Sequence, residues 1–206
     1  MPSTRFSPPA FGDPLPIEAS PATLAFLGRR RSASALTLRA PGPGELEVAD
    51  MLAIAARAPD HGKLSPWRFV VLGGEAKAEF VRGLEAIAAG RDDAAKAGAK
   101  LGKIRVPPLT VAVISRVVDG DIPAWEQQLS AGATCTLLVV AAQAMGYGAN
   151  WITDWYAYDE DARRLLGVAP NEKVAGFVHI GSPSEAPLER VRPDMPSIVT
   201  RWSPAA

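Results

Sequence analysis

The amino-acid sequence predicts a single layered α/β domain with extended arms at its ends. Its 206 residues fit one ordinary domain. The composition, 48% hydrophobic and 21% charged, is typical of a globular protein. Patterns typical of helices and of strands alternate irregularly along the chain, and neither an internal repeat nor a linker divides them. We therefore expect one core enclosed by helices.

The N-terminal region predicts an extended arm followed by a capped helix. Residues 1–20 hold five prolines and no apolar core, which is unlike a signal peptide and unlike a regular helix. The domain is expected to occupy 21–206. Ser20 before Pro21 is a typical helix start, because serine caps free N–H groups and proline fits the first helical position. The predicted helix runs over 21–31, and its interior face is expected to carry Leu24, Leu27 and Gly28.

Hydrophobic periodicity places the remaining elements. It predicts helices over 45–57, 75–88, 123–145 and 159–166, and strands over 67–72, 109–118, 148–153 and 174–180. Residues 90–105 are small, charged and glycine-spaced, which fits either a mobile helix or a lid. The tail, 181–206, contains five prolines, and its residues 197–200 could pair as an edge strand, including on a partner chain.

Composition excludes several classes of function. Basic and acidic residues balance at 22 each, which argues against a nucleic-acid partner, since such proteins carry a basic excess or a basic face. One cysteine and two histidines are too few for a four-ligand zinc site, whereas a carboxylate Mg²⁺ site stays open. The longest charge-free apolar run, 130–147, contains polar residues and favours a buried helix over a membrane span. We expect a cytoplasmic protein with no membrane partner, and we expect Cys135 and His179 to be core residues.

Three segments carry groups that suit an anionic, planar ligand. Residues 29–34 combine three arginines with two serines, which suits a phosphate monoester, although basic residues also complement a helix C-terminus. Residues 57–69 place Asp60 and His61 in a turn, where Asp60 alternatively only closes its own turn. Residues 146–153 hold glycines that let a planar ligand approach the backbone; the alternative is a tight turn with a core tryptophan.

Taken in order, these motifs resemble one family. An R-R-S matches residues 30–32, an R-A-P-D-H block followed by P-W-x-F matches 57–61 and 66–69, and W-E-Q-x-x-S-A-G matches 125–132. The chain resembles the FMN-dependent nitroreductase family, in particular its small single-domain NAD(P)H nitroreductases. The resemblance covers about residues 24–202 and leaves the proline-rich arm outside.

The resemblance implies a fold and an assembly. The implied fold is a three-layer α+β domain, in which a mainly antiparallel central sheet is flanked by helices. Two such chains form a homodimer that holds two FMN molecules at the interface, and the C-terminal arm extends over the partner subunit. Each FMN is bound from one subunit by Arg30, Arg31 and Ser32, and from the other by Arg57 and His61.

The resemblance also implies further contacts. It assigns a second FMN-contacting segment, Trp151, Ile152 and Thr153, and a nicotinamide contact to Ala141, Ala142, Gln143, Ala144, Met145 and Gly146. The family has W-R-S where this chain has W-I-T. If the arginine's charge supports the reduced flavin, Ile152 cannot replace it, so Arg201 or Arg57 would have to. No side chain is implied as an obligatory acid or base, and no metal is implied.

The implied activity is transfer of hydride from NAD(P)H through FMN to a nitroaromatic, a quinone or a similar small acceptor. Three alternatives stay open at this point. The fold could run another reaction, such as dehalogenation or flavin fragmentation, or the chain could bind FMN without turnover. The third is a basic module that binds polyanions through residues 29–31, against which the balanced charge counts.

Overall fold

A computed structural model describes residues 7–204 of the chain. Its helices are α1 (Pro21–Gly28), α2 (Glu45–Ala55), α3 (Gly74–Ala89), α4 (Ala94–Lys100), α5 (Gly102–Arg105), α6 (Ala124–Ala144), α7 (Glu160–Leu165) and α8 (Met195–Ile198). Its strands are β1 (Leu38–Arg39), β2 (Trp67–Gly73), β3 (Leu109–Arg116), β4 (Gly148–Ile152) and β5 (Glu172–Pro183). Within residues 7–204, no helix combines the length and the apolar character that a bilayer crossing requires.

The five strands form one antiparallel sheet. Its central strand is β5, which pairs with β3 along one side and with β4 and β1 along the other. The outer neighbour of β3 is β2, in a register that places Trp67 opposite Ser115. The predicted antiparallel sheet is confirmed. The prediction missed β1, because two residues are too short to show an alternating pattern.

Helices cover both faces of the sheet and complete the three predicted layers. Successive strand residues point to opposite faces, so Phe177 packs under α3, α4, α5 and α7, whereas Val178 packs under α2 and α6. Cys135 and His179 are core residues, as predicted. Burial raises the pKa of the Cys135 thiol to about 12 and lowers the pKa of His179 to about 3, so both remain uncharged at neutral pH.

Residues 90–105 form two short helices, α4 and α5, and are not a lid. Three of their side chains, Ala97, Leu101 and Ile104, are fully buried in the core under α3. The helical alternative is therefore correct.

Both ends of the chain differ from the sequence prediction. The Ser20 cap is confirmed, but α1 ends at Gly28 and not at residue 31. Its expected interior face is also wrong, since Leu24 and Leu27 are 71% and 46% exposed and Gly28 is exposed too. The expected strand at 197–200 is wrong, because α8 begins at Met195 and ends inside that segment. Residues 7–20 of the predicted arm are exposed, and residues 1–6 lie outside the described part.

Candidate functional site

The first sequence motif forms a loop between α1 and β1, which we name the arginine loop (residues 29–34). The N–H of Ala33 donates to the carbonyl oxygen of Ala149 at 3.1 Å. The side-chain amide of Asn150 donates to the carbonyl oxygen of Ala33 at 2.5 Å. Since Ala149 and Asn150 belong to β4, the loop is attached to the sheet.

A side chain near the end of α6 completes this attachment. The amide nitrogen of Gln143 donates to the carbonyl oxygen of Arg31. The amide oxygen of Gln143 is buried and has no hydrogen-bond partner among the described residues. A buried acceptor without a partner is rare in proteins. A ligand hydroxyl at the arginine loop would satisfy it.

The arginine loop borders a shallow pocket of about 280 Å³, lined by Phe26, Arg29, Arg30, Arg31, Gln143 and Pro187. In the part of the chain that the structure describes, no ion pair engages the three guanidinium groups of the loop. Ser32 adds a hydroxyl 3.5 Å from the guanidinium of Arg30. Glu189 on the tail interacts electrostatically with Arg31 but forms its ion pair with Arg192. Guanidinium groups that are not held in ion pairs attract a multiply charged anion, and they match phosphate geometry.

The C-terminal tail crosses the same loop. Arg31 donates through Nε to the carbonyl oxygen of Leu188 at 2.8 Å. Arg192 donates to the carbonyl oxygen of Arg30 at 3.1 Å and forms an ion pair with Glu189 at 2.9 Å. The predicted cofactor residue Arg201 lies farther along the exposed tail, after α8.

The second motif, residues 57–69, forms a turn that is closed by its own aspartate. The Asp60 carboxylate accepts from the N–H of Leu64 at 3.2 Å and from the N–H of Ser65 at 2.8 Å. Gly62 has a φ of 76°, which favours glycine. Asp60 therefore has the structural role that the sequence left open, and Arg57 and His61 remain exposed beside it.

His61 faces the start of α6. Its Nδ1 lies 2.7 Å from Oε2 of Glu126, and both side chains are substantially exposed. One turn later, Ser130 donates to the carbonyl oxygen of Pro59 at 2.6 Å and accepts from the indole N–H of Trp67 at 3.2 Å. The sequence motif contained Glu126 and Ser130 without assigning them a role. Their spacing of four residues, which places both on one helix face, was the available signal.

The arginine loop and His61 lie at opposite ends of α6. Glu126, which contacts His61, is in the first turn of the helix, and Gln143, which contacts the loop, is in its last turn. A rise of 1.5 Å per residue separates these two positions by about 25 Å. Within one chain, the two groups of residues predicted to bind FMN, those of the arginine loop and the pair Arg57 and His61, therefore lie far apart.

The third motif continues from the arginine loop along β4. Trp151 is 39% exposed, and its indole N–H donates to the carbonyl oxygen of Ala175 at 3.2 Å. The ring covers Gly176 so closely that an added Cβ would lie 1.9 Å from the indole nitrogen. Ile152 is half-buried, and the Thr153 hydroxyl lies 3.1 Å from the Tyr158 hydroxyl. The core-tryptophan alternative is thus incorrect, because a large part of the ring is open to solvent.

A strained residue, Asp154, follows this motif, and sequence reasoning missed it. Its φ of 63° and ψ of 179° lie in a region that is almost restricted to glycine. The carboxylate is buried and binds Lys103 at 2.9 Å and Lys100 at 3.3 Å. Burial alone would raise the pKa of Asp154, but hydrogen bonds from Lys103 and from the Trp155 N–H hold it below its ordinary value. The end of β4 is thereby attached to α4 and α5.

The segment expected to contact the nicotinamide is only partly accessible. Ala141 and Ala142 are buried beneath the sheet, Gln143 and Met145 are half-buried, and Ala144 and Gly146 are exposed. Only the last four of these six residues, 143–146, are therefore accessible to a bound molecule.

Comparison with known proteins gives consistent results. The sequence profile of the nitroreductase family matches residues 27–182. YdjA of Escherichia coli strain K12, named provisionally as an NAD(P)H nitroreductase, is 36% identical over 162 residues, which are 78% of this chain and 87% of YdjA. A protein of Haemophilus influenzae with the same provisional name is 32% identical over 175 residues, 79% of this chain and 89% of that protein.

Solved structures share the fold at low identity. A nitroreductase-like protein from Bacillus cereus superposes with a TM-score of 0.78 at 19% identity, covering 90% of this chain and 98% of its own. A nitroreductase with bound FMN from Bacteroides fragilis superposes with a TM-score of 0.68 at 20% identity, covering 89% of this chain and 100% of its own.

Proposed function

Because the chain belongs to the nitroreductase family, we propose that it is an FMN-dependent oxidoreductase that passes hydride from NAD(P)H to a nitroaromatic, a quinone or a similar small acceptor. The observation that carries this proposal is the arginine loop. It presents three guanidinium groups without ion-pair partners among the described residues, beside the unsatisfied buried oxygen of Gln143. A phosphate and a polyhydroxyl chain, as in FMN, supply the anion and the donor that this pair of features lacks.

The residues of the chain would bind and orient the cofactor. When bound, FMN supplies the hydride chemistry itself. The guanidinium groups of Arg30 and Arg31 and the hydroxyl of Ser32 hold the phosphate end. Trp151, which is half-exposed on β4 next to the loop, provides a planar apolar surface. Arg57 and His61 are exposed donors suited to the carbonyl end of the ring.

We also propose a homodimer in which each FMN site is shared by two chains. The separation of about 25 Å along α6 exceeds the length of one FMN from its phosphate to its ring carbonyls. A second copy would bring its own Arg57 and His61 to the arginine loop of the first. Large exposed apolar residues support such an interface, namely Leu24, Leu27, Trp125 and Leu129, which are 71%, 46%, 66% and 53% exposed.

The positive charge at the ring end is proposed to come from Arg57. The family's arginine is replaced here by Ile152, which carries no charge. Arg57 lies in the same turn as His61, whereas Arg201 lies on the tail beyond α8. A cation next to the flavin ring would favour its anionic reduced form.

The absorption spectrum of the purified protein tests the proposal, followed by an NAD(P)H oxidation assay with nitroaromatic and quinone acceptors. We expect a yellow protein that releases FMN on denaturation and turns over by a ping-pong mechanism, because NAD(P)H and acceptor would use the same ring face. A colourless protein that takes up no added FMN would contradict the flavin assignment. Bound FMN without NAD(P)H oxidation would leave a flavin-binding protein and refute the enzymatic assignment.

A further inference from the structure

The turn that carries His61 is attached to α6 at two points, one helical turn apart. At the first point, Nδ1 of His61 lies 2.7 Å from Oε2 of Glu126. At the second, Ser130 donates to the carbonyl oxygen of Pro59 at 2.6 Å. The Asp60 carboxylate closes the same turn by accepting from two of its backbone N–H groups. The backbone beside His61 is therefore fixed, and Glu126 holds the imidazole ring.

The contact with Glu126 determines which ring nitrogen of His61 is available to a ligand. A carboxylate only accepts hydrogen bonds, so the shared proton is carried by Nδ1 of the ring. The two nitrogens of an imidazole point in different directions, and Nε2 is therefore turned away from Glu126. Because the His61 side chain is 65% exposed, a ligand can reach this second nitrogen.

Both side chains line a cavity of about 310 Å³ at the proposed ring end of the FMN site. Its other lining residues are Pro59, Asp60, Leu129, Ser130 and Ala133. Glu126 lies in the first turn of α6, where the helix dipole favours a negative charge. On its own, this carboxylate would repel an anionic ligand. Its place in the cavity is explained if it acts on the ligand through His61.

We propose that Glu126 is a positioning residue for FMN binding, which keeps a proton on Nδ1 of His61 and directs Nε2 toward the cofactor ring. The proposal rests on the proposed function, since FMN is its ligand. Without Glu126 the imidazole is free to rotate and to carry its proton on either nitrogen. Fewer of its orientations then suit the ring, and FMN affinity falls.

The position of the proton is measured by ¹⁵N NMR of the histidine rings in the purified protein at pH 9. The chain has two histidines, so His61→Ala identifies the signals of His61. The chemical shifts of the two ring nitrogens show which of them carries the proton. We expect the proton on Nδ1 in the wild type and a shift of the proton toward Nε2 in Glu126→Ala.

A double-mutant cycle tests the link to the cofactor, with FMN titration of the apoproteins as the measurement. Glu126→Ala should raise the Kd about three- to tenfold when His61 is present, and less than about twofold in the His61→Ala background. Glu126→Gln keeps an oxygen that accepts from Nδ1 and should retain most of the affinity. Glu160→Ala, in the first turn of α7, is the matched control and should leave the Kd unchanged.

The outcomes separate this role from the proposed function. A wild-type protein that takes up no FMN refutes both. If FMN binds, the positioning role alone is refuted by a wild-type His61 that carries its proton on Nε2. It is also refuted if Glu126→Ala weakens FMN binding equally with and without His61, which would indicate a direct or general structural effect. Tighter FMN binding by Glu126→Ala would show that the carboxylate acts only as a repelling charge. Because the NMR measurement uses the wild type, it decides the matter even if a variant fails to fold.

Discussion

The N–H of Ala33 and the carbonyl oxygen of Ala149 are joined by a hydrogen bond of 3.1 Å, which fixes the arginine loop to β4. Two motifs that are far apart in the sequence therefore form one surface. The proposed phosphate end of the cofactor site and the tryptophan of the third motif move together with the sheet. Changes at either motif should consequently affect FMN binding.

Replacement of Arg30 by alanine should weaken FMN binding. The change removes a charge-assisted contact, which is worth about 1.5–3 kcal/mol, so the Kd should rise by roughly 10- to 150-fold. Fluorescence titration of the apoprotein with FMN measures this. Arg164→Ala is the control, since Arg164 pairs with Asp161 on α7 and should leave the Kd unchanged. An unaltered Kd in Arg30→Ala would refute the phosphate assignment.

A methyl group at Gly176 should displace Trp151. The added Cβ would lie 1.9 Å from the indole nitrogen, so the ring must move. Gly176→Ala should lower the free energy of unfolding by about 1–3 kcal/mol and also reduce FMN affinity. Gly98→Ala on α4 is the matched control, because nothing lies within 4 Å of its added Cβ and alanine favours helix. Equal stability of the two variants in urea denaturation would disprove the close packing.

The strained backbone at Asp154 predicts an unusual order of stabilities. Asp154→Ala and Asp154→Gly both lose the bonds to Lys100 and Lys103, but only glycine adopts a φ of 63° and a ψ of 179° without strain. The glycine variant should therefore be more stable than the alanine variant by about 1 kcal/mol, after allowance for its more flexible unfolded chain. Thermal denaturation of the two variants compares their stabilities. An alanine variant that is more stable than the glycine variant would show that the backbone at Asp154 is not strained.

The ion pair of Glu172 with Arg68 should make stability depend on pH. Nε of Arg68 donates to Oε1 of Glu172 at 2.7 Å, and Nη2 of Arg68 donates to Oε2 at 2.6 Å. These hydrogen bonds hold the pKa of Glu172 below its ordinary value. The contribution is fully present above the unfolded-state value of about 4.3 and is lost as the pH falls through the lower folded-state value. At pH 7 Glu172→Gln should cost about 1–3 kcal/mol.

The loss in free energy of unfolding that Glu172→Gln causes should be smaller at pH 3 than at pH 7. Urea denaturation of the wild type and of the variant at both pH values measures it. Glu79→Gln, at an exposed position on α3, serves as the control and should cost little at either pH. A cost for Glu172→Gln that is the same at both pH values would show that the carboxylate charge plays no part.

Local signals predicted much of the fold. The caps Ser20 and Asp159 bind the N–H groups of their own helices, so their effect is readable from a few neighbouring residues. The apolar runs of β3 and of the middle of β5 were likewise visible, because strands that are covered on both faces are apolar over most of their length. Two elements that were missed or left open, β1 and α4, are too short or too rich in alanine and glycine to show a period.

Long-range relationships could not be predicted from the sequence alone. His61 and Glu126 are distant in the chain, and only the packing of the turn against α6 brings them within 2.7 Å. Leu24 and Leu27 were expected to face the interior but are exposed. Hydrophobic periodicity identifies the apolar face of a helix, but it does not show which element packs against that face. The motif resemblance supplied the proposed cofactor residues, which spacing alone did not.

The shared FMN site is the central claim, and complementation between two damaged chains tests it most directly. Arg30→Glu damages the phosphate end, and a double variant, Arg57→Glu with His61→Ala, damages the ring end. Each variant alone should bind little FMN. The two chains, carrying different tags, are co-expressed and the mixed dimer is isolated by two affinity steps.

The measurement is the amount of FMN bound by the mixed dimer. If each site takes its phosphate end from one chain and its ring end from the other, one of the two sites is intact, and the mixed dimer should bind half the FMN of the wild-type dimer and oxidise NAD(P)H. If one chain supplies both ends, every site carries one damaged half. A mixed dimer that forms but recovers neither FMN nor NAD(P)H oxidation would contradict the shared site.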